Sequence, residues 1–117
     1  MKNRLVLAVT LAAIAVPLAL DTASAQCGGA SWYALHSRTA SGERMNPAAM
    51  TAAHRTLPFG SKIRVTNLRN KRSVVVTVND RGPFVRGRIV DVSTGAAGVL
   101  GMKSSGVAPV RVELVSR

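Results

Sequence analysis

The sequence predicts a small, mainly β domain whose strands close into a barrel. Residues 62–66 and 110–114 alternate polar and apolar side chains with a period of two, as half-buried strands do. Residues 73–79 form a run rich in β-branched side chains, which favour strands. Short segments of this kind follow one another along the chain, with turn residues between them. A closed barrel suits them because it leaves no sheet edge exposed.

The first strand is predicted from a pair of adjacent aromatic residues. Trp32 and Tyr33 place it over residues 30–34, and a polar loop over residues 37–42 follows. The next strand covers residues 62–66, where the alternating pattern begins.

The run over residues 73–79 is predicted to lie centrally in the sheet. Val74, Val76 and Val78 share one face of this strand, and Val75 lies on the opposite face. Since both faces are apolar, we expect this strand to have a neighbouring strand on each side.

One short helix is predicted near the C-terminal end. Residues 89–92 form another apolar strand, and Ser93 is a suitable N-cap for a helix that ends at Gly101. The strand over residues 110–114 then completes a mainly β domain.

The N-terminal segment is typical of a secretory signal peptide. Lys2 and Arg4 precede an apolar run over residues 5–20, and small residues follow it. The alternative is a membrane anchor, but the run is shorter than the roughly 20 apolar residues that span a bilayer. We therefore expect residues 1–25 to be a signal peptide and residues 26–117 to be the folded, exported domain, without a stable membrane span.

The charge balance of the chain favours polyanionic partners. It carries 16 Lys and Arg against 5 Asp and Glu, a formal net charge of +11. Nucleic acid is the usual partner of so basic a chain, but the export signal makes a nucleic-acid partner unexpected. Carboxylated wall polymers and anionic lipids remain, in the periplasm or outside the cell. The single cysteine, Cys27, excludes an internal disulfide, and a monomer is expected for so small a barrel.

Few side chains of the predicted domain can act as an acid or a base. They are Glu43, Asp80, Asp91, Glu113, His36 and His54. A metal centre is not expected, because no His or Cys cluster has the spacing of ligands. No phosphate-binding loop or nucleophile elbow is present, so no cofactor is expected either.

Asp80 has the most distinctive position among these groups. It ends the predicted strand over residues 73–79 and precedes a rigid Arg-Gly-Pro turn, which would hold its carboxylate at the rim of the barrel. An ordinary turn aspartate is the alternative. His54 by itself could equally be a structural imidazole, and Asp91 could either support a turn or belong to a site.

Several motifs in this chain together resemble one family. They are Ala-Ser-Trp-Tyr at 30–33, Thr-Ala-Ser-Gly-Glu at 39–43, Thr-Ala-Ala-His-Arg-Thr-Leu-Pro-Phe-Gly at 51–60, Asn-Asp-Arg-Gly-Pro-Phe at 79–84 and Arg-Ile-Val-Asp-Val-Ser at 88–93. Nearly all of residues 30–115 resembles the rare lipoprotein A (RlpA) family. This resemblance implies a six-stranded double-psi β-barrel with one short helix, related in architecture to expansins.

The resemblance also implies an activity. Active members are lytic transglycosylases that cut the glycan strands of peptidoglycan, prefer strands without stem peptides, and leave 1,6-anhydro-muramic acid ends. It implies Asp80 as the catalytic acid and base, with His54 and Glu43 as the other catalytic residues. The alternative is a non-catalytic, expansin-like module that grips a glycan strand without cutting it.

Other residues are predicted to contact the glycan. Trp32 and Tyr33 could stack on sugar rings, although aromatic residues in a strand more often belong to the core. Arg81 and Arg88 could bind the lactyl carboxylates of muramic acid. Asp91 could activate water if the reaction were a hydrolysis, which needs a second carboxylate.

Overall fold

The computed structural model describes residues 25–33, 39–43 and 46–117. The strands are β1 (Ala25–Tyr33), β2 (Thr51–Ala53), β3 (Lys62–Asn67), β4 (Ser73–Asp80), β5 (Arg88–Ser93) and β6 (Val107–Ser116), and the helix is α1 (Thr94–Leu100). Apart from Ala25, the predicted signal peptide lies outside the described residues, and so does His36.

The six strands close into one barrel in the order β1-β5-β2-β4-β3-β6. β1 is parallel to β5 and β2 is parallel to β4, whereas the other neighbouring strands are antiparallel. The parallel pairs join strands that are far apart in the sequence. They place Ser31 beside Asp91 and Ala53 beside Asp80. The prediction of a six-stranded barrel with one helix is confirmed.

The first two strands differ most from the sequence pattern. β1 begins at Ala25 instead of residue 30, because residues 25–31 pair with β6 along their whole length. Gly28 is suited to this strand, since a Cβ there would lie 2.8 Å from the side chain of Ile89. β2 has only three residues, two of them alanine, and no pattern predicts it. Pairing with β4 on one side and β5 on the other determines its conformation.

The core fills the interior of the barrel. Alternating side chains of β3, β4 and β6 are buried there; they are Ile63, Val65, Val76, Val78, Val110 and Val112. The face of β4 that carries Val76 and Val78 is buried, whereas Val75 on the opposite face is 41% exposed. β4 nevertheless lies between β2 and β3, as expected of a central strand. In a closed barrel one face points inward and the other meets solvent wherever no helix or loop covers it.

Helix α1 has the predicted boundaries. The hydroxyl of Ser93 caps its first turn by accepting a hydrogen bond from the amide of Ala96 at 3.3 Å. Gly101 ends the helix in the left-handed region, with φ of 70°. Ala97 and Leu100 bury the inner face of the helix in the core. In the described part of the chain, no helix is long and apolar enough to cross a membrane.

Candidate active site

Asp80 is the last residue of β4, where its half-buried carboxylate is held by backbone amides. The Oδ1 atom accepts hydrogen bonds from the amide of Ala40 at 2.8 Å and from the amide of Arg81 at 2.9 Å. Two donors from different segments fix the direction of the carboxyl group. Such fixed geometry is what a proton-transferring side chain needs.

The loop over residues 39–43 packs against the end of β4 and carries Glu43 to the same end of the barrel. The amide of Ser41 donates to the carbonyl of Asn79 at 3.2 Å, beside the contact between Ala40 and Asp80. The amide of Thr39 donates to the carbonyl of Glu43 at 2.7 Å, which closes the loop. The carboxylate of Glu43 is exposed and accepts a hydrogen bond from the Ser41 hydroxyl at 3.3 Å. Glu43 is thus part of the loop that contacts the end of β4 through Ala40 and Ser41.

His54 follows β2 and is linked to Asp80 through the backbone. Its amide donates to the carbonyl of Asp80 at 3.1 Å, and its side chain is buried. The Nδ1 atom accepts hydrogen bonds from the amides of Thr56 and Leu57, each at 3.2 Å. The proton of a neutral ring must then be on Nε2, which donates to Oε1 of Gln26 at 3.2 Å.

The surroundings of His54 favour the neutral ring. Burial, together with the positive charges of Arg81 and then Arg55, lowers the pKa of His54 below its usual value of 6.5. Its ring faces a cleft of about 380 Å³ that also borders Gln26 and Ile89. Since both ring nitrogens already have partners, His54 in this arrangement is a neutral hydrogen-bonding group that shapes the site.

Two arginines fix the backbone around Asp80. Arg81 donates from Nη1 to the carbonyls of Leu57 at 2.8 Å and His54 at 3.2 Å, and its guanidinium lies 4.1 Å from the centre of the Phe59 ring. Arg55 donates from Nε to the carbonyl of Pro83 at 2.8 Å. Its Nη2 atom donates to two further carbonyls, those of Val85 at 3.4 Å and Arg88 at 2.8 Å. The guanidinium of Arg55 therefore holds the segment after Asp80 through hydrogen bonds to its backbone carbonyls.

Asp91 lies on β5, where the parallel pairing with β1 places it beside Ser31. Its Oδ1 atom accepts a hydrogen bond from the Ser31 hydroxyl and lies 3.6 Å from Nη2 of Arg88. The carboxylate thus already has a hydroxyl and a guanidinium as partners.

Trp32 and Tyr33, the last two residues of β1, have different surroundings. Trp32 is partly buried and packs against the hydrophobic core. The hydroxyl of Tyr33 is buried, and its pKa is raised to about 12 by burial and then by the negative charges of Asp80 and Asp91. Tyr33 therefore lies near both carboxylates and keeps its proton at neutral pH.

The sequence-predicted residues are thus found mainly at one end of the barrel. The phenol of Tyr33 lies near Asp80 and Asp91, and Asp91 pairs with Arg88. Glu43 is carried by the loop whose Ala40 amide contacts Asp80. The residues that sequence reasoning missed are Arg55 and Gln26. Their partners are backbone carbonyls and a histidine from distant segments, and neither leaves a local pattern. Among residues 25–33, 39–43 and 46–117, no three His, Cys, Asp or Glu side chains come together as a metal-binding group.

This arrangement defines a class of protein: a closed double-psi β-barrel domain with carboxylates at one end of its strands. Residues 25–112 match the family model described as lytic transglycolase. The chain belongs to this family, and within it to the RlpA proteins.

Curated relatives agree with this family. A protein from Nostoc sp., "Probable endolytic peptidoglycan transglycosylase RlpA", is 72% identical over 79 residues, which are 68% of this chain and 21% of that protein. The "Endolytic peptidoglycan transglycosylase RlpA" of Campylobacter jejuni is 54% identical over 91 residues, 75% of this chain and 33% of that protein. The chain thus spans only about a fifth to a third of the length of these relatives.

Solved structures share the fold at low sequence identity. The Streptomyces papain inhibitor aligns with a TM-score of 0.65 and 22% identity over 78% of this chain and 94% of that one. A mutant expansin of Clavibacter michiganensis in complex with cellohexaose aligns with a TM-score of 0.62 and 23% identity, over 78% of this chain and 50% of that one. Both support the barrel architecture.

Proposed function

We propose that this domain is a lytic transglycosylase that cleaves the glycan strands of peptidoglycan, with Asp80 as its acid and base. The observation that carries the proposal is the position of Asp80 at the end of β4, where amides from two segments orient its carboxyl group. The family match and the names of the relatives support the same reaction.

The proposed reaction needs one proton-transferring carboxyl group. Protonated Asp80 donates its proton to the glycosidic oxygen, and the bond from this oxygen to the anomeric carbon of muramic acid breaks. The C6 hydroxyl of the same muramic acid attacks the oxocarbenium-like centre and closes the 1,6-anhydro ring. Its proton goes to the Asp80 carboxylate, which restores the starting acid. No water is consumed, so atoms and charge balance within the cut strand.

Neighbouring groups support this role of Asp80. Tyr33 keeps its proton, because its pKa is about 12, and so offers a neutral hydroxyl donor beside the carboxylates. Glu43 is carried by the loop that also supplies the Ala40 amide to Asp80. We propose that Glu43 binds the substrate from this loop and that neutral His54 keeps β2 and β4 in register.

Hydrolysis would require a second carboxylate to activate water, roughly 6.5 to 9.5 Å from the acid in an inverting enzyme. Asp91 is the available group. Its Oδ1 atom accepts a hydrogen bond from Ser31 and pairs with Arg88, so this atom already has two partners in place of a water molecule. These contacts favour the lytic reaction over hydrolysis.

The substrate class follows from charge and from the family. A formal net charge of +11 attracts the carboxylates of peptidoglycan. We propose that strands without stem peptides are preferred and that the protein is exported to the cell wall and acts as a monomer. A non-catalytic glycan-binding module is the alternative, because an expansin shares the fold.

Product analysis tests the proposal. The purified protein and its Asp80→Asn variant would be incubated with intact and amidase-stripped peptidoglycan, and soluble products would be identified by mass spectrometry. We expect anhydro-muramic ends from the wild type and none from the variant. Glu113→Gln is the matched control, since it removes a carboxylate from β6 on another part of the barrel, and it should release products at the wild-type rate. Reducing ends would mean hydrolysis, and binding to the wall without products would establish the non-catalytic module.

A further inference from the structure

The segment that follows Asp80 presents an aromatic side chain to solvent. Phe84 is 79% exposed, more than any other large apolar side chain among the described residues. One exposed apolar residue is ordinary on a protein surface. The surroundings of this ring, however, indicate a binding site.

The backbone on both sides of Phe84 is fixed. Arg55 donates hydrogen bonds to the carbonyls of Pro83 at 2.8 Å and Val85 at 3.4 Å, the residues before and after it. The amide of Arg88 donates to the same Val85 carbonyl at 3.1 Å. The ring also lies over Gly82, where an added Cβ would be 3.6 Å from it. A ring on a fixed backbone loses little conformational entropy when a ligand stacks on it.

A cleft of about 400 Å³ lies beside this ring. Its wall consists of Phe84 and Val85 together with Arg55, Arg86 and Gly87, so it offers an aromatic side chain and two guanidinium groups and no carboxylate. Its volume is within the range of small-ligand sites. Its positive charge selects an anionic ligand, and its aromatic wall selects a ligand with a flat apolar face.

Arg86 is the cation available to such a ligand. Arg81 donates to two backbone carbonyls, and Arg88 pairs with Asp91. Arg55 is occupied by the backbone carbonyls of Pro83 and Arg88. Within the described residues, Arg86 forms no hydrogen bond or ion pair and is exposed at the cleft.

We propose that Phe84 and Arg86 form a saccharide subsite for a pyranose that carries a free carboxylate. The apolar face of the sugar stacks on the Phe84 ring, and the carboxylate pairs with the guanidinium of Arg86. This subsite deepens the proposed function and rests on it, because in peptidoglycan the ligand is muramic acid. Its lactyl carboxylate is free only where the stem peptide has been removed, since the peptide is joined to that group by an amide bond. The subsite therefore gives a physical reason for a preference for stripped strands.

A membrane surface is the rival partner for an exposed aromatic residue beside an arginine. Interfacial segments bury a continuous apolar face in the lipid. Here the apolar part consists of Phe84 and Val85 alone. Arg55 and Arg86 line a cleft beside them, in the segment that follows Asp80 closely. These observations favour the sugar.

The test measures binding separately from cleavage. Dissociation constants would be determined by calorimetry, with the Asp80→Asn protein as the parent. The first ligand is a soluble glycan oligomer stripped of its stem peptides by amidase. The second is the same oligomer after its lactyl carboxylates are converted to methylamides. Adding Phe84→Ala should weaken binding of both ligands about tenfold. Adding Arg86→Gln should weaken binding of the carboxylate form about tenfold and abolish the discrimination between the two ligands.

Matched controls and a membrane arm complete the experiment. Val107→Ala and Arg64→Gln change an exposed valine and an exposed arginine elsewhere on the barrel, so binding should stay within about twofold of the parent. If Phe84→Ala lowers the melting temperature, Phe84→Leu replaces it, since leucine keeps the apolar bulk without the ring. All proteins would also be sedimented with vesicles of anionic phospholipid.

The outcomes separate this subsite from the proposed function. Unchanged affinity in both subsite variants, equal binding of the two ligands by the parent, or losses confined to vesicle sedimentation would each overturn the subsite. Selective weakening as described, in a protein whose wild type releases no products, would support the subsite and refute the enzyme.

Discussion

Two glycines of α1 allow a prediction in which one substitution has opposite effects at two positions. Gly95 and Gly98 both lie inside this helix, and alanine is favoured over glycine there by about 1 kcal/mol. At Gly98 a new Cβ would contact only the Lys103 side chain at 3.7 Å, which is an ordinary van der Waals distance. Gly98→Ala should therefore stabilise the protein by roughly 0.5 to 1 kcal/mol, because the unfolded chain loses freedom.

Gly95 has a different neighbour. A Cβ at this position would lie 2.7 Å from the carbonyl oxygen and 3.1 Å from the carbonyl carbon of Ala48. These are backbone atoms, and the amide of Gly95 is itself bonded to the carbonyl of Pro47 at 2.8 Å, so the two segments cannot separate freely. Overpacking of this kind costs about 1 to 3 kcal/mol. After the gain in helix propensity is subtracted, Gly95→Ala should destabilise the protein by roughly 1 kcal/mol.

Urea unfolding followed by circular dichroism measures both effects. The m-value should be the same for the wild type and both variants, so that a change in midpoint reports stability alone. In thermal unfolding, the melting temperatures of Gly98→Ala and Gly95→Ala should move in opposite directions from that of the wild type, by roughly 4 to 8 °C per kcal/mol for a domain of this size. Equal stabilisation by the two substitutions would refute the close contact between α1 and Ala48.

Two further predictions concern the groups around Asp80. The pKa of His54 is lowered on folding, so the unfolded chain binds a proton at higher pH than the folded protein does. The free energy of unfolding should therefore be largest above about pH 6.5, the usual pKa of histidine. It should decrease as the pH falls from there towards the pKa of the folded protein. Urea unfolding between pH 8 and pH 5 measures this decrease, and the decrease due to His54 should be absent from His54→Gln. A free energy of unfolding that rises on acidification, with the rise abolished in His54→Gln, would contradict the prediction. Arg55→Gln should destabilise the fold by about 1 kcal/mol, because it removes charged donors from carbonyls at a partly exposed site, and should lower the rate of product release. Arg64→Gln is its control in both assays, and equal behaviour of these two variants would mean that other contacts hold the segment.

The sequence predicted those parts of the fold that are encoded by local periodicity. Alternation and β-branched residues identify the centres of β3, β4 and β6, and Ser93 with Gly101 identifies the limits of α1. β2 could not be predicted, because a strand of three small residues is stabilised by its two neighbours and not by its own pattern. The exposed side of β4 shows the same limit, since which apolar face of a strand is covered depends on the tertiary packing.

The candidate site was predicted unevenly for a similar reason. The resemblance of the short motifs to the RlpA family predicts Asp80, His54 and Glu43 as site residues. In the structure the backbone of His54 bonds to that of Asp80, and the loop that carries Glu43 contacts the Asp80 carboxylate through Ala40. What the sequence cannot show is the hydrogen bonding of each group. That Asp91 pairs with Arg88, or that the imidazole of His54 bonds to Gln26, depends on strand pairing between distant segments.

The closure of the barrel has a consequence for the speed of folding. β6 pairs with both β1 and β3, so two seams of the barrel remain open until residues 107–116 are available. The pairing of Ala25 with Glu113 closes a loop of nearly the whole domain, and contacts of such long sequence separation slow folding. A chain that emerges with its N-terminus first therefore cannot close the barrel until β6 appears. That delay suits the proposed export, in which a polypeptide crosses a membrane before it folds.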